Sequence, residues 1–426
     1  MRTSSLLLAF MLVGVCLGAE REENKGPTSE DKTLSYWAAH SKDKDEHVRK
    51  AAAEALGKFG PVAIPALTEL LKDKEWWVHK SAADALVSIG PPAVPALTAM
   101  LRDKESRHRW CAARPLGVIR PATKEVIAAL TELLSDKDME VRYFVAEALG
   151  NIGPAAKDAV PALTERLRDK AGNVRAWAAL ALGRMGPAAK DAVPALTKLL
   201  RDKEEWYIIP LAAWALGDIG SAAKDAVPSL TAMLADQDCV ARCCAARALG
   251  RIGPAGKAAV PALTQLLKDT DASVRCAAIV AVARMVSEAK AAVPPLTELL
   301  KDKQPRTRCV AAKALGEIGV EARAAVPTLA ELLKDEDFEV RDAAVDALGE
   351  IGPDAKTAIP ALTELLKDRS KVNIYHERIG IAWALGKIGS DARTATLALT
   401  ELFKDTNEDV RKAAADALEK IKKEHK

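Results

Sequence analysis

Apolar residues recur along this chain at helical spacing, in two alternating stripes. Val160, Leu163 and Leu167 form one; Val141, Val145, Ala148, Leu149 and Ile152 form the other. Both follow the i, i+3/i+4, i+7 pattern of an amphipathic helix. We call the first helix A and the second helix B. Neither is long enough to persist alone in water, so each is predicted to bury its stripe against neighbours. The pair then returns. VRYFVAEALGNIGPAAKDAVPALTERLRDKAGN, from Val141, reappears from Val174 as VRAWAALALGRMGPAAKDAVPALTKLLRDKEEW. A period of about 33 residues predicts one array of stacked helix pairs, not two or three globular domains.

Aligning the chain on the arginine of the Val-Arg pair gives twelve repeats. That position holds Arg49, His79, Arg109, Arg142, Arg175, Ile209, Arg242, Arg275, Arg308, Arg341, Arg378 and Arg411. The first two steps are 30 residues, most others 33, and the tenth 37. Proline opens helix A, as at Pro161, Pro194 and Pro261, where its missing N–H costs nothing. Asp45, Asp138, Asp238, Asp271, Asp337 and Asn407 stand four residues before their arginines and are predicted to cap helix B. Gly153-Pro154, Gly253-Pro254 and Gly352-Pro353 end it. Gly150 lies inside the helix B pattern and predicts a close approach between neighbouring repeats. An aspartate also recurs six residues before the arginine, as at Asp43, Asp136, Asp169 and Asp269. This pairing predicts a ladder of charge-assisted hydrogen bonds joining adjacent repeats.

The pattern PALTELLKDxxxxVRxxAAxALGxIG resembles HEAT repeats of the phycobilisome-lyase-like subtype, from about Leu34 to Lys423. The resemblance implies an all-α fold: a right-handed α-solenoid of about twelve two-helix repeats, with B helices on the concave face. The inserted GPAAKDAVP segment departs from the shorter family repeat and lengthens the loop from helix B to helix A. Helices pack roughly 8–10 Å apart, so twelve repeats suggest an arc on the order of 100 Å.

Composition narrows the function classes. Sixty-two basic residues balance 59 acidic ones, so no global charge points to nucleic acid. At the start, Arg2 precedes an apolar run from Leu6 to Leu17 and small residues at Cys16, Gly18 and Ala19. This is the layout of a secretory signal peptide, too short for a membrane span. Lipid anchoring at Cys16 is the weaker alternative, since Val13-Gly14-Val15 is a poor lipobox. The expected organisation is a signal peptide over 1–19, a polar linker over 20–33 and the solenoid over 34–426. The protein is then exported, periplasmic or extracellular, with no integral span after cleavage.

In an array, shared positions report the fold, so the departures are the functional candidates. Repeat 2 has His79 for arginine and places Trp76 and Trp77 in the A–B turn. Repeat 6 adds a residue there, bringing Trp206 and Tyr207, and has Ile209-Pro210 where Arg and its successor belong. Repeat 11 adds four residues, with Tyr375 and His376. These aromatics are candidate partner anchors on the turn rim. On helix B, the residues one and five after the arginine share a face. They are charged near the ends (Lys50/Glu54, Lys80/Asp84, Asp342/Asp346, Lys412/Asp416) and apolar in the middle: Ala176/Leu180, Pro210/Trp214, Cys276/Val280, with Trp383 in repeat 11. That floor reads as a groove for a protein or peptide segment.

Cys243, Cys276 and Cys309 recur at a spacing of 33 on the same stripe. No CxxC or CxxCH accompanies them, and small-hydrophobe packing is their expected role. His376-Glu377 is a lone His-Glu pair, whereas the related deoxyhypusine hydroxylases use several to hold a di-iron site. No HExxH, GxSxG or phosphate loop occurs. The expected function is therefore a non-enzymatic scaffold for a protein or peptide partner, with no cofactor, metal or catalytic residue. A lyase-like or thiol/redox enzyme using these cysteines, and a structural spacer in an envelope assembly, stay open as alternatives.

Overall fold

The computed structural model describes residues 33–201, 207–285, 291–368 and 375–423. The signal peptide and all but the last residue of the linker expected before position 34 lie outside them. Every regular element among the described residues is a helix, and the α-helices alternate as A and B through twelve repeats. Repeat 5 is representative: helix A is Val160–Arg166 and helix B is Gly172–Met185. The molecule is an α-solenoid. Its chain divides into two compact units, the first ending at Leu97 and the second beginning at Thr98. In the first, Leu56, Leu67, Leu71, Val78 and Leu86 are fully buried. In the second, Leu149, Leu163, Val174, Leu182 and Leu196 play the same part, and consecutive B helices pack side by side.

The helix ends follow from local chemistry. Asp138 accepts the Glu140 amide at 2.8 Å and Asp337 that of Glu339 at 2.9 Å, and the other four predicted caps act alike. Gly153 closes helix B of repeat 4 with φ 74° and ψ −141°, a region open to glycine alone. Arg120 holds the equivalent position in repeat 3, in the left-handed region at φ 56°. The close approach expected at Gly150 is also present. A Cβ there would lie 2.8 Å from the Ala181 Cα on the next B helix.

The expected B-to-A loop is not a loop. GPAAKDA, Gly153–Ala159, forms two short 3₁₀ turns joined by a kink at Ala156 (φ −89°, ψ 25°), with Ala156 and Ala159 fully buried. In repeat 1 the corresponding helix is only Gly60–Ala63, which accounts for the shorter 30-residue step. Small alanines let this turn pack flat against its neighbours, so it closes the core.

The Asp–Arg ladder is present and its connectivity is specific. Among the described residues, the arginine of seven repeats reaches forward to the aspartate of the next repeat. Arg142 donates from Nε to Asp169 Oδ2 at 2.7 Å and from Nη2 to Oδ1 at 2.8 Å. Its Nη1 turns back to the carbonyls of Asp136 and Lys137 in its own turn, at 2.8 and 3.2 Å. Burial pushes the Asp169 carboxyl up, but Arg142 and the Ala171 amide outweigh it and hold it below its ordinary value. The same rung forms at Arg49–Asp73, Arg109–Asp136, Arg242–Asp269 and Arg308–Asp335.

Candidate functional site

With the ladder and caps on the turn side, the opposite face of helix B carries the variable residues. Residues one, two, five and nine after the arginine share that face by helical geometry. The apolar floor expected there is narrower than the pattern implied. Trp214 and Val280 are exposed, at 50% and 37%. Leu180, Pro210 and Cys243 are half-buried. Cys276 and Cys309 are buried, so they fill space beneath the face and offer no surface to a partner. Trp383 lies flat over Gly349, where any Cβ would collide with its ring, and the Lys387 ammonium sits 5.5 Å from the ring centre. Its outer edge borders a groove of about 260 Å³ with Lys412, Asp416 and Lys420.

The structure adds a cluster that the floor did not include. Trp110 stacks on Phe144 with centroids 5.0 Å apart. Tyr143 meets Phe144 edge-on at 4.6 Å and Trp177 edge-on at 5.5 Å. Aromatic residues make up only 4% of the chain, so four in contact across repeats 3 to 5 are a local concentration. Phe144 and Trp177 stand two residues after the arginine, about 60° round the helix from the fifth position. A stripe of positions one and five passes beside them; counting position two would have found them.

Arginines frame these rings. The Arg184 guanidinium sits 5.5 Å from the Trp177 ring centre and donates to Asn151 Oδ1 of the preceding repeat. The Arg251 guanidinium sits 5.8 Å from the Trp214 ring and pairs with Asp218. Such cation–π contacts hold both partners as flat, preorganised plates. Burial raises the Glu147 carboxyl above its ordinary value, although Arg114 and Arg184 pull it down.

The rim residues are placed separately. In the first compact unit, Trp76 is 60% exposed and meets half-buried Trp77 edge-on at 6.0 Å. In the second, Tyr207 is half-buried and its hydroxyl donates to Asn173 Oδ1 at 3.4 Å. Trp206 lies outside the described residues. Tyr375 and His376 are exposed with ring centres 4.2 Å apart. Glu377 beside them has a plain role: it is buried and accepts from Arg341 Nη2 at 2.8 Å. It takes the forward bond from Arg341 that an aspartate takes on the other rungs.

Five of the thiols are held away from reactivity. Burial pushes the Cys111 thiol up to about 12 and the Cys244 thiol to about 11. It raises Cys243, Cys276 and Cys309 as well. A nucleophilic or metal-binding cysteine needs the opposite shift. Among the described residues, no group of three His, Cys, Asp or Glu could hold a metal ion. No described helix is long and apolar enough to cross a membrane.

The family profile described as HEAT repeats matches residues 34–112, 94–183, 160–242, 227–304, 260–324 and 293–375. No curated protein matches the chain. Among solved structures, the chain is similar to the Kap95:Nup1 complex, with a TM-score of 0.67, 13% identity, and 92% of this chain and 62% of that chain covered. Importin beta gives 0.66 at 13% identity, covering 91% of this chain and 62% of that one. Kap121p bound to the extreme C-terminus of the protein phosphatase Cdc14p gives 0.52 at 15%, covering 91% and 49%. The chain thus spans less than two thirds of each of these longer chains, and at such identities the likeness is one of fold.

Proposed function

Because the chain belongs to the HEAT-repeat family, we propose that it is a non-enzymatic scaffold holding a protein or peptide segment along the open face of its B helices. We further propose that its repeats are of the phycobilisome-lyase-like subtype and that the protein is exported, with the apolar start of the chain as its signal. The observation that carries the scaffold reading is the run of rings and arginines from Trp110 to Arg251 on one face of five consecutive B helices. Rigid aromatics with flanking arginine are the residue types that dominate binding energy at protein interfaces. Two of the similar solenoids, Kap95 with Nup1 and Kap121p with the Cdc14p C-terminus, are seen with protein partners. The raised Cys111 and Cys244 thiols and the ion pair of Glu377 with Arg341 support a structural reading of these residues.

Site-specific photocrosslinking in the source cells tests this. A crosslinker replacing Val280 on the open face is expected to capture a discrete partner; one replacing Leu397, exposed on helix A, is not. Equal capture at both positions, or none at Val280, rejects the face assignment. Mass measurement of the chain from those cells tests the export reading, which requires loss of roughly the first 19 residues.

A further inference from the structure

The open face is electrically divided. From repeat 3 to repeat 8, the charged residues at its fifth and ninth positions are Arg114, Arg184, Arg247, Arg251 and Arg284, against Glu147 and Asp218. Asp218 is already paired with Arg251. Arg247 and Arg284 are exposed and stand outside the ladder. In repeats 9 and 10 the balance reverses: Glu317, Glu339, Asp342, Asp346 and Glu350 stand against Arg306 and Lys313. Burial first, then Asp342 and Glu350, raise the Asp346 carboxyl, so these groups repel one another.

From this division we infer that the partner segment is acidic and apolar, and that it lies over repeats 3 to 8 and ends before repeat 9. The inference rests on the scaffold reading above and names its ligand chemistry. Apolar side chains of the segment sit on Trp110, Trp177 and Trp214. Its carboxylates reach Arg247 and Arg284, whose guanidinium groups match carboxylate geometry in two-point hydrogen bonds. The acidic block repels the same carboxylates and sets where the segment stops, since like charges across an interface are strongly unfavourable. A protein segment fits better than a nucleic acid strand. Glu147 and Asp218 lie among the arginines, and a continuous phosphate backbone would meet the block at repeats 9 and 10 within one or two further helices.

Fluorescence anisotropy on the full chain tests it, with three labelled peptides of equal length: Asp-Leu-Pro, Lys-Leu-Pro and Ser-Leu-Pro repeats. A single-stranded oligothymidine is the fourth probe. The acidic peptide is expected to bind tightest, with affinity falling as salt rises. Arg247→Glu with Arg284→Glu weakens it by roughly a hundredfold. Arg247→Gln with Arg284→Gln, which removes charge without reversing it, weakens it less, and unchanged circular dichroism melting confirms that both variants fold. Asp342→Asn with Asp346→Asn leaves it unchanged or tightens it. Equal binding of all three peptides, or indifference to both arginine variants, overturns the inference and leaves the scaffold reading intact. So does preferential binding of oligothymidine, or self-association that the same reversals abolish. No binding by any probe, together with no crosslink at Val280, removes both readings at once.

Discussion

The ladder and the open face lie on the same B helices, a half-turn apart, and have opposite statistics. At the ladder position ten of twelve repeats carry arginine. Five residues further on, the series reads Glu54, Asp84, Arg114, Glu147, Leu180, Trp214, Arg247, Val280, Lys313, Asp346, Trp383 and Asp416. The physical difference is what each side chain meets. Arg142 meets the next copy of the same turn, so its partner constrains it in every repeat. Trp214 is half exposed, and its ring meets the Arg251 guanidinium of the next repeat, itself a variable residue of the open face. The period is therefore a property of contacts between copies, and departures from it are free to carry recognition.

The strongest test of this contrast is to cut one rung. Arg142→Ala removes both guanidinium bonds to buried Asp169 and leaves only Arg166, at 3.9 Å, to offset its charge; breaking a buried pair costs about 3–5 kcal/mol, so a loss toward the lower end is expected. Arg247→Ala on the open face of an equivalent helix is expected to cost no more than about 0.5 kcal/mol. Denaturant titration measures both, and comparable losses would sink the distinction. The Asp169 carboxyl is held below its ordinary value, so the rung stabilises fully above about pH 4 and is lost as pH falls through the folded value. The penalty of Arg142→Ala is accordingly largest near neutrality and shrinks in acid.

A rung can also be added. Repeat 6 has Ile209 at the ladder position, and the aspartate it would serve, Asp236, is exposed and accepts the Asp238 amide. Where Arg242 is present, Asp269 takes both guanidinium bonds. Ile209→Arg is expected to stabilise by about 1 kcal/mol. It should also slow amide exchange in Cys239–Ile252, since each repeat in an array is held by its neighbours. Ile209→Lys should recover less, because an ammonium cannot make the two-point contact. No gain from either substitution would mean that repeat 6 has abandoned ladder geometry altogether.

How much of this was legible in the sequence follows the same division. Caps, the glycine stop at Gly153, the close approach at Gly150 and the ladder itself were all readable, because each recurs with the period and has one local cause. Two things were not. The GPAAKDA segment reads as a loop, since its proline and glycine signal a stop; in the fold it is two 3₁₀ turns kinked at Ala156, with that alanine buried. The ring cluster was hidden because its contacts cross repeats. Trp110 meets Phe144, one position round the helix in the next copy, and no single-repeat stripe joins them. For the same reason Cys276 and Cys309 looked available on a helical wheel and prove buried: neighbouring side chains, not the wheel, decide exposure.

The smallest predicted effect tests the open face by its own sign. Asp342, Asp346 and Glu350 follow one another at four-residue spacing, so each neighbouring pair repels along the helix. Burial and these neighbours raise the Asp346 carboxyl, opposite to Asp169 on the ladder. A raised carboxyl destabilises the fold while ionised, above its folded value, and that cost is relieved as pH falls through it. Asp346→Asn relieves the burial of a charge and two like-charge pairs while giving up the attraction to Lys313, and is expected to stabilise by at most about 0.5 kcal/mol at neutral pH. The gain should fade on acidification, since the native carboxyl is by then protonated too. Thermal melts of both proteins from neutrality to about pH 4 read this directly. A loss of stability in the variant, or a gain that grows in acid, would show that Asp346 is held for the fold, and the open face could no longer be contrasted with the ladder as a surface left free for recognition.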